Sequence, residues 1–197
     1  NATPDQVIEL FPRANTVGAH FGVALIKKDG FHFEIATFRT DGDYSDGRRP
    51  DSVSFSTAKE DASRRDFTVN GLFLDPVSGE LIDYVNGQAD LKAEVIRAIG
   101  EPEDRFSEDY LRMLRAIRFA TVLGFEIEPA TKCSIKSLSH QTAQIAPERI
   151  KQELNKIWRS PHRQRGFDLL VETGLMKAVL PEILDLQGCE QPPQWHP

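Results

Sequence analysis

The first third of the chain alternates between short apolar stretches and residues that favour turns. Residues 22–28 and 31–38 are rich in apolar side chains and are separated by Asp29-Gly30, a dipeptide that favours a two-residue hairpin turn. In the second stretch the apolar side chains fall at alternate positions, which places Glu34 on the opposite face. The pattern therefore predicts a β-hairpin. A short helix over residues 4–11 is predicted before it, because a proline stands in its first turn.

The pattern is mixed between residues 40 and 99. Residues 40–51 are rich in Asp, Gly and Arg without periodicity, which predicts a loop. A helix is predicted over 62–73 with Arg64 and Arg65 in its first turns. Short strands are predicted over 53–56, 81–84 and 95–99, the last two on either side of a loop at Asn86-Gly87.

After Gly100 every segment has a helical pattern. Leu111, Leu114 and Ile117 recur at helical spacing, and Ser107 is the predicted cap of their helix. Further helices are predicted to start at Pro129, at Pro147 and at Ser160-Pro161, the last ending at Gly174. A small α/β unit thus precedes an all-helical unit, which predicts an α+β fold.

Composition and charge narrow the class of protein. Hydrophobic residues make up 40% of the 197 residues and charged residues 27%, as in ordinary globular proteins. No apolar run approaches the ~20 residues of a membrane helix, so we expect no membrane association. The two cysteines, Cys133 and Cys189, lack metal-ligand spacing, and this favours a cytoplasmic setting.

The net charge of −6 argues against a general coating of nucleic acid, but it is compatible with a local RNA-binding patch. One segment of the chain is locally basic. It contains Lys151, Lys156, Arg159, His162, Arg163 and Arg165. An RNA contact surface and a solvated helix face are both compatible with this segment.

The pattern EDxxR at residues 108–112 combines a carboxylate with a guanidinium group. Asp109 and Arg112 are three apart, which predicts that they share one face of a helix. An aspartate acceptor beside an arginine fork can recognise the hydrogen-bonding edge of a base. Arg115 and Arg118 continue the series and can meet phosphates. A surface helix with ion pairs is the alternative.

Two further motifs accompany EDxxR in a fixed order, RRDFTVN at residues 64–70 before it and PERIKQEL at residues 147–154 after it. Along essentially its whole length, the chain resembles the class II tRNA nucleotidyltransferases and the related bacterial poly(A) polymerases. The resemblance also includes residues 17–23, 33–39, 90–91 and 96–100. It implies a partial polymerase β-like nucleotidyltransferase head with a mixed sheet (residues 1–93), an all-α neck for base recognition (94–150) and the start of a helical, tRNA-binding body (151–197).

The resemblance also implies a catalytic centre with Mg²⁺ held by three carboxylates. Glu34 matches the carboxylate from a strand and is the predicted catalytic and metal-binding residue. The family's other two come from an Asp-x-Asp motif, which we expect a few residues before Asn1. The chain as given is then expected to be an inactive part of a longer enzyme. Asp41-Gly42-Asp43 is interpreted as part of the family's flexible loop and not as a replacement pair.

By the same resemblance, Arg64, Arg65, Asp66 and Asn70 contact the sugar and triphosphate of the incoming nucleotide. Asp109 and Arg112 form a protein template for the base of ATP or CTP. Two residues are assigned supporting roles, Glu108 and Arg149. Helix-start capping by the first group and a surface position for Arg149 are the alternatives.

The expected partners are the 3′ end of tRNA, ATP and CTP, and the oligomeric state stays open. Residues 40–65 match the loop of family members that add the full CCA sequence, and this favours CCA addition. Poly(A) polymerase, a non-catalytic nucleotide- or RNA-binding module and a helical scaffold remain as alternatives. The proline-rich residues 191–197 predict a linker to a further region, in which His196 is a candidate metal ligand.

Overall fold

The computed structural model describes residues 2–15, 22–42, 52–186 and 188–189. The chain divides into two compact units, Asn1–Gly87 and Gln88–Pro197. Short paired strands with helices make up the first unit and helices dominate the second, so the predicted α+β fold class is confirmed. Among the described residues, none of the helices combines the length and apolar character needed to cross a bilayer.

In the first unit the described strands pair antiparallel in twos, β1 with β2, β3 with β4, and β5 with β6. The elements are α1 (Pro4–Leu10), β1 (Val23–Lys28), β2 (Phe31–Ala36), β3 (Arg39–Asp41), β4 (Val53–Phe55), α2 (Ala58–Ser63), β5 (Leu72–Leu74) and β6 (Leu81–Asp83). The predicted loop over 40–51 therefore starts later than expected, because Thr40 and Asp41 pair with β4. Residues 43–51 lie outside the described residues.

The predicted first helix and hairpin are confirmed. Thr3 and Gln6 form a reciprocal capping box at the start of α1, which satisfies two backbone N–H groups. Asp29 and Gly30 both have positive φ, 51° and 81°, as a tight two-residue hairpin turn requires. The helix packs on the hairpin through a small buried core of Val7, Ala24 and Ile26.

The predicted helix over residues 62–73 is wrong. The helix α2 begins earlier, at Ala58, because Thr57 and Glu60 form a capping box there. It ends at Ser63, and Phe67 is extended, with φ −127° and ψ 150°. A 3-10 turn, Thr68–Asn70, and then β5 follow. The RRD residues therefore lie in a bend between α2 and this turn.

The second unit is built on helices with one short parallel strand pair, β7 with β8. Its elements are α3 (Gly87–Ala93, which starts at the last residue of the first unit), β7 (Val95–Ile96), α4 (Pro102–Glu108), α5 (Leu111–Leu123), β8 (Glu126–Ile127), α6 (Pro129–Leu138), a 3-10 segment (Ser139–Gln144), α7 (Pro147–Trp158), α8 (Arg163–Glu172), α9 (Leu175–Val179) and α10 (Pro181–Leu184). The helix starts predicted at Pro129 and Pro147 are confirmed.

The loop predicted at Asn86-Gly87 is shorter than expected, because α3 begins at Gly87 and only Asn86, with φ 61°, lies outside the helix. The prediction that every element after Gly100 is helical is wrong, because β8 interrupts that region. Glu126 pairs with Val95 in register, so this strand is defined by a partner 31 residues earlier. Such pairing leaves no local pattern in two residues, and the sequence around β8 therefore did not indicate it.

The EDxxR motif spans two helices and not one. Asp109 has extended backbone angles, φ −154° and ψ 103°, and it separates α4 from α5. Ser107 lies inside α4, where its hydroxyl donates to a backbone carbonyl four residues earlier, so it does not cap the following helix. Instead Asp109 Oδ1 accepts the backbone N–H of Leu111 at 3.1 Å. Asp109 and Arg112 consequently do not share a helix face.

The core of the second unit lies where α5 meets α7 and α8. Gly166 of α8 allows a close approach there, because an added Cβ would lie 2.5 Å from Ile157 and 2.7 Å from Thr121. The chain leaves α8 through Gly174 in the left-handed conformation, with φ 79°. The largest fully buried side chains of this unit are Ile96, Phe106, Met113, Leu114, Ile117, Ile135, Ile157, Leu170, Leu175 and Met176.

Candidate nucleotide-binding site

In the first unit a single carboxylate receives both arginines of the RRD motif. Asp61 lies in α2 and is 2% exposed. Its Oδ1 accepts from Nε and Nη2 of Arg64 at 3.0 and 2.7 Å, and its Oδ2 accepts from Nε and Nη2 of Arg65 at 3.1 and 3.0 Å. Each guanidinium group therefore presents the same edge to the carboxylate, and the two cations are held side by side.

Both guanidinium groups make further contacts besides those with Asp61. Nη1 of Arg64 lies 3.2 Å from Asp41 Oδ2, and its Nε also donates to the carbonyl of Arg39 at 2.9 Å. Nη1 of Arg65 donates to the carbonyl of Asn70 at 2.8 Å, while its guanidinium carbon lies 4.7 Å from the ring centre of Phe73. These contacts fix the orientation of both arginines.

The ionisation of Asp61 follows from this environment. Burial on its own would raise the pKa of Asp61. The hydrogen bonds and positive charge of Arg64, together with Arg65 and the backbone N–H of Arg39, outweigh burial, and the pKa is lowered from its ordinary value. Asp61 is therefore an anion at neutral pH, paired with two cations.

Asp66 and Asn70 meet in the bend that follows. Asp66 is 7% exposed, and its Oδ1 accepts from the backbone N–H of Phe67 and from Nδ2 of Asn70, both at 2.9 Å. The structure thus brings the four predicted sugar and triphosphate contacts of the first unit into one hydrogen-bonded segment. Asn70 donates directly to Asp66, and Arg65 donates to the backbone carbonyl of Asn70.

In the second unit Asp109 is paired with Arg149 of α7. Nη1 of Arg149 lies 3.2 Å from Oδ1 and Nη2 lies 2.7 Å from Oδ2, which is a bidentate pair. The side chains are 14% and 20% exposed, so the pair is partly screened from water but reachable. Arg149 and the backbone N–H of Leu111 together set the orientation of the Asp109 carboxylate.

Arg112 is held by the end of α4. Its Nη1 donates to the carbonyl of Arg105 at 2.8 Å and contacts the carboxylate of Glu108. Arg105 also donates to both oxygens of Glu108, at 3.2 and 2.9 Å, and to the carbonyl of Ile99 at 3.1 Å. Glu108 therefore lies between two arginines and orients the one that the sequence analysis assigned to base recognition.

The remaining predicted arginines extend along α5. Arg118 pairs with Glu153 of α7, which is 4% exposed, and its guanidinium carbon lies 3.7 Å from the ring centre of Phe119. The guanidinium carbon of Arg115 lies 5.4 Å from the centre of the same ring. The contacts of Arg118 join α5 to α7, so this residue contributes to the packing of the unit.

Glu34 lies on β2 with an exposed side chain, opposite Leu25 of β1. Asp41 lies in β3 and not in the loop where it was predicted, and its side chain is 5% exposed and paired with Arg39 and Arg64. Asp43 lies outside the described residues. Within residues 2–15, 22–42, 52–186 and 188–189, no three histidine, cysteine or carboxylate side chains are grouped to hold a metal ion.

Known families match both ends of the chain. Residues 1–97 match the poly A polymerase head domain, and residues 124–186 match a family described as "Probable RNA and SrmB- binding site of polymerase A". The chain is 43% identical over 176 residues to a CCA-adding enzyme of Bacillus cytotoxicus, and 42% identical over 180 residues to one of Lactobacillus helveticus. These matches cover 89% and 91% of the chain. The chain belongs to the tRNA nucleotidyltransferase and poly(A) polymerase family.

Solved structures of this family have the same fold. The crystal structure of the Bacillus stearothermophilus CCA-adding enzyme in complex with CTP matches 88% of the chain at 38% identity, with a TM-score of 0.81. A tRNA nucleotidyltransferase complexed with a primer tRNA and an incoming ATP analog matches 98% at 26% identity, with a TM-score of 0.72. The chain spans 44–45% of the two curated relatives and 42% and 54% of these two structures.

Some of the predicted site residues lie inside the two segments that match known families, and others lie between these segments. Glu34 and the RRDFTVN segment lie inside the head-domain match, and Arg149 lies inside the second match. The EDxxR motif lies in residues 98–123, between the two. Its assignment to the family therefore depends on the relatives and structures that align across the whole region.

Several residues that orient the predicted site residues are not among those predicted from the sequence. Asp61 precedes Arg64 and Arg65 by three and four positions, which is helical ion-pair spacing, and this signal was available. Arg105 has the same relation to Glu108. Glu153 is 35 residues from Arg118, and Asp41 is 23 residues from Arg64, so no local pattern indicates these two pairs.

Proposed function

We propose that the protein is a template-independent RNA nucleotidyltransferase that adds CMP and AMP from CTP and ATP to the 3′ end of tRNA. The observation that carries the proposal is the pair of oriented groups at the α4–α5 junction. Arg149 holds the carboxylate of Asp109, and Glu108 holds the guanidinium group of Arg112. The relatives named CCA-adding enzymes support the same activity.

Base selection follows from the chemistry of this pair. Cytosine and adenine both present an exocyclic amino group as a donor, whereas uracil and guanine present a carbonyl oxygen at the corresponding position. The Asp109 carboxylate is a pure acceptor and therefore favours the amino group. Arg112, a pure donor, suits the acceptor nitrogens and oxygens of the same bases. A protein template of this kind accepts C and A and rejects U and G.

The sugar and triphosphate are assigned to the first unit. Arg64 and Arg65 present two oriented guanidinium groups, which suit the triphosphate. Asp66, held by Asn70, is the proposed acceptor for the ribose 2′-hydroxyl, and Arg115 of α5 is a further proposed phosphate contact. Arg118 is proposed to act through its packing against α7.

Mg²⁺ is the proposed cofactor, because it takes oxygen ligands and an exposed strand carboxylate such as Glu34 fits that preference. A Mg²⁺ ion held there would supply Lewis-acid chemistry, which favours deprotonation of the attacking 3′-hydroxyl and neutralises charge on the leaving pyrophosphate. Glu34 would supply one carboxylate to this site. The α-phosphate is the point of attack, and Arg64 and Arg65 hold the phosphates that leave.

The tRNA is proposed to contact α7 and the start of α8. Lys151, Lys156, Arg159 and Arg163 have exposed side chains there, within the segment that matches the RNA-binding family. Exposed cations that neutralise phosphates make binding dependent on salt concentration. Reversal of two charges, with Lys151→Glu and Arg159→Glu, is expected to weaken tRNA binding and to reduce its salt dependence.

The experiment that tests the proposal is incorporation by the complete gene product, with Mg²⁺ and a tRNA that ends at its discriminator base. CTP alone should add two residues, and ATP should add a third only after them. Asp109→Ala should lose the preference for CTP over UTP, whereas Asp75→Asn, an exposed turn carboxylate of the first unit, should keep it. Unchanged nucleotide selectivity in Asp109→Ala would exclude the template assignment.

Poly(A) polymerase is the second candidate, because both matched families are named for that enzyme. A long product ladder with ATP alone would support it over CCA addition. Binding of nucleotide or tRNA without any incorporation would instead support a catalytically inactive binding module. CTP addition that stops at two residues in the presence of ATP would indicate a CC-adding enzyme.

A further inference from the structure

Asp61 is almost inaccessible, and it contacts both arginines of the RRD motif, Arg64 and Arg65. Its 2% exposure leaves no surface for a nucleotide to touch. Each of its oxygens takes the Nε and Nη2 edge of a different arginine. Any influence of Asp61 on a bound nucleotide must therefore pass through Arg64 and Arg65.

Holding an arginine in place matters because its side chain is long. An arginine loses up to about 2 kcal/mol of rotamer entropy when it is ordered. If the protein orders the two guanidinium groups in advance, a triphosphate does not have to do so on binding, and its affinity is higher. The second anchors of these groups, Asp41 for Arg64 and the carbonyl of Asn70 for Arg65, complete this arrangement.

The negative charge of Asp61 has an opposing, repulsive effect on a bound triphosphate. Asp61 is an anion, and an anion close to a triphosphate repels it. The side chains of Arg64 and Arg65 are 24% and 35% exposed, against 3% for Asp61, and both guanidinium groups are at hydrogen-bond distance from its carboxylate. A ligand that contacts the exposed parts of the arginines is therefore closer to the two positive charges than to Asp61. Because charge interactions weaken with distance, the orienting effect is expected to exceed the repulsion.

We propose that Asp61 is a positioning residue for nucleotide binding that acts by holding Arg64 and Arg65 side by side. This inference rests on the proposed function, in which these arginines bind the triphosphate. Helix α2 then contributes to nucleotide binding through Asp61, although no side chain of that helix touches the nucleotide. Asp41 has the same role for Arg64, since its carboxylate contacts Nη1 of that arginine.

The test is equilibrium binding of CTP and of ATP to the complete gene product, with steady-state kinetics alongside. Asp61→Asn keeps the shape of the side chain but removes its charge. It should raise the Kd for both nucleotides about tenfold, the effect of one lost charged contact, and should raise KM more than it changes kcat. Asp75→Asn removes a charge in an exposed turn of the same unit and should leave both constants unchanged.

A double-variant comparison separates positioning from a general effect on the fold. Added to Arg65→Ala, the Asp61→Asn change should raise Kd by a smaller factor than it does in the wild-type protein, because one of its two targets is already absent. An equal factor in both backgrounds overturns the inference. So does unchanged or tighter binding of CTP by a folded Asp61→Asn protein, which would show that the carboxylate only repels phosphate.

Two controls keep the outcomes distinct. A folded wild-type protein that binds neither CTP nor ATP would refute the proposed function, whereas normal wild-type binding with no effect of Asp61→Asn would refute only this inference. If Asp61→Asn does not fold, Asp41→Asn decides the matter. It removes the second anchor of Arg64, together with the contact between Asp41 and Arg39, and leaves Asp61 in place. It should raise the Kd by a smaller factor, about threefold, and an unchanged Kd overturns the inference.

Discussion

The carboxylate of Asp109 and the guanidinium group of Arg149 are joined by two hydrogen bonds across 40 residues of sequence. Asp109 lies between α4 and α5, and Arg149 lies in the first turn of α7. The contact fixes the position of a carboxylate whose residue lies outside the helices and has an extended backbone. The selectivity proposed for Asp109 therefore depends on a residue in a different helix.

Replacement of Arg149 should impair base selection. Arg149→Ala removes both hydrogen bonds that Arg149 donates to the carboxylate of Asp109. We expect a loss of about 1–3 kcal/mol in the free energy of unfolding. Arg149→Lys keeps the charge but cannot form the bidentate pair, so it should restore stability in part and selectivity less. The measurements are urea unfolding and the ratio of CTP to UTP incorporation. Gln152→Ala, an exposed change in the same helix, should alter neither the unfolding free energy nor this ratio.

The pair of Arg118 and Glu153 should contribute to stability and not to base choice. Glu153 is 4% exposed and also accepts from Lys156 at 3.0 Å. Glu153→Gln removes a buried charge opposite Arg118, and we expect a loss of about 2 kcal/mol in the free energy of unfolding. Glu148→Gln, an exposed change in the first turn of the same helix, should cost under about 0.5 kcal/mol.

The two changes are compared by urea unfolding followed by far-UV circular dichroism. Equal unfolding midpoints for the Glu153 and Glu148 variants would contradict the structural role of the pair. Replacement of both partners, Arg118→Met with Glu153→Leu, should recover most of the stability, because it leaves no unpaired buried charge. Normal CTP incorporation by that double variant would confirm that Arg118 acts through packing.

Glu128 should make the stability of the second unit dependent on pH. It caps α6, where its carboxylate accepts the N–H of Thr131 at 2.6 Å, and it lies 3.3 Å from Nη1 of Arg97. Partial burial would raise the pKa of Glu128, but the hydrogen bonds from Thr131 and Ala130 and the charge of Arg97 outweigh it, and the pKa is lowered.

The sign of the effect follows from the lowered pKa. The ionised form is favoured in the folded state, so the contribution of Glu128 is present above the unfolded pKa of about 4.3 and is lost as the pH falls through the lower folded value. Glu128→Gln should therefore lower the free energy of unfolding at pH 7, by about 1 kcal/mol for a lost cap, and less at pH 3. The same difference from wild type at both pH values would contradict this linkage.

The sequence predicted correctly those helix starts and the hairpin turn that are determined by residues close together in the chain. The hairpin formed where Asp29-Gly30 indicated it, and α6 and α7 started at their prolines. The helix predicted over 62–73 is wrong, because the capping box of Thr57 and Glu60, which is also a local signal, starts the helix at Ala58. The break at Asp109 follows from an aspartate that bonds to a nearby backbone N–H, which competes with helix formation.

The candidate site was only partly predictable for a different physical reason. The sequence and its family resemblance indicated the groups proposed to touch the nucleotide, such as Arg64 and Asp109. The groups that orient them are contributed by other elements, as Asp41 is by β3 and Arg149 by α7. A supporting role for Arg149 followed from the resemblance, but its bidentate contact with Asp109 became visible only in the folded chain.

Gly87 should be required for the shape of the RRD segment. A Cβ added to Gly87 would lie 2.2 Å from the backbone carbonyl oxygen of Thr68, the first residue of the 3-10 turn that carries Asn70. Because the obstacle is backbone, the turn itself must move. We expect Gly87→Ala to lower the free energy of unfolding by about 1–3 kcal/mol, as overpacking does, and to weaken CTP binding.

Gly79→Ala is the matched comparison, because it also replaces a glycine in the first unit. Gly79 has φ 75° and no atom within 4 Å of an added Cβ, so the change should cost about 1–2 kcal/mol in backbone strain alone. Both variants should lose stability, but only Gly87→Ala should bind CTP more weakly at a temperature where both are folded. Equal CTP affinity in the two variants would show that the turn at Thr68 does not position the nucleotide-binding residues.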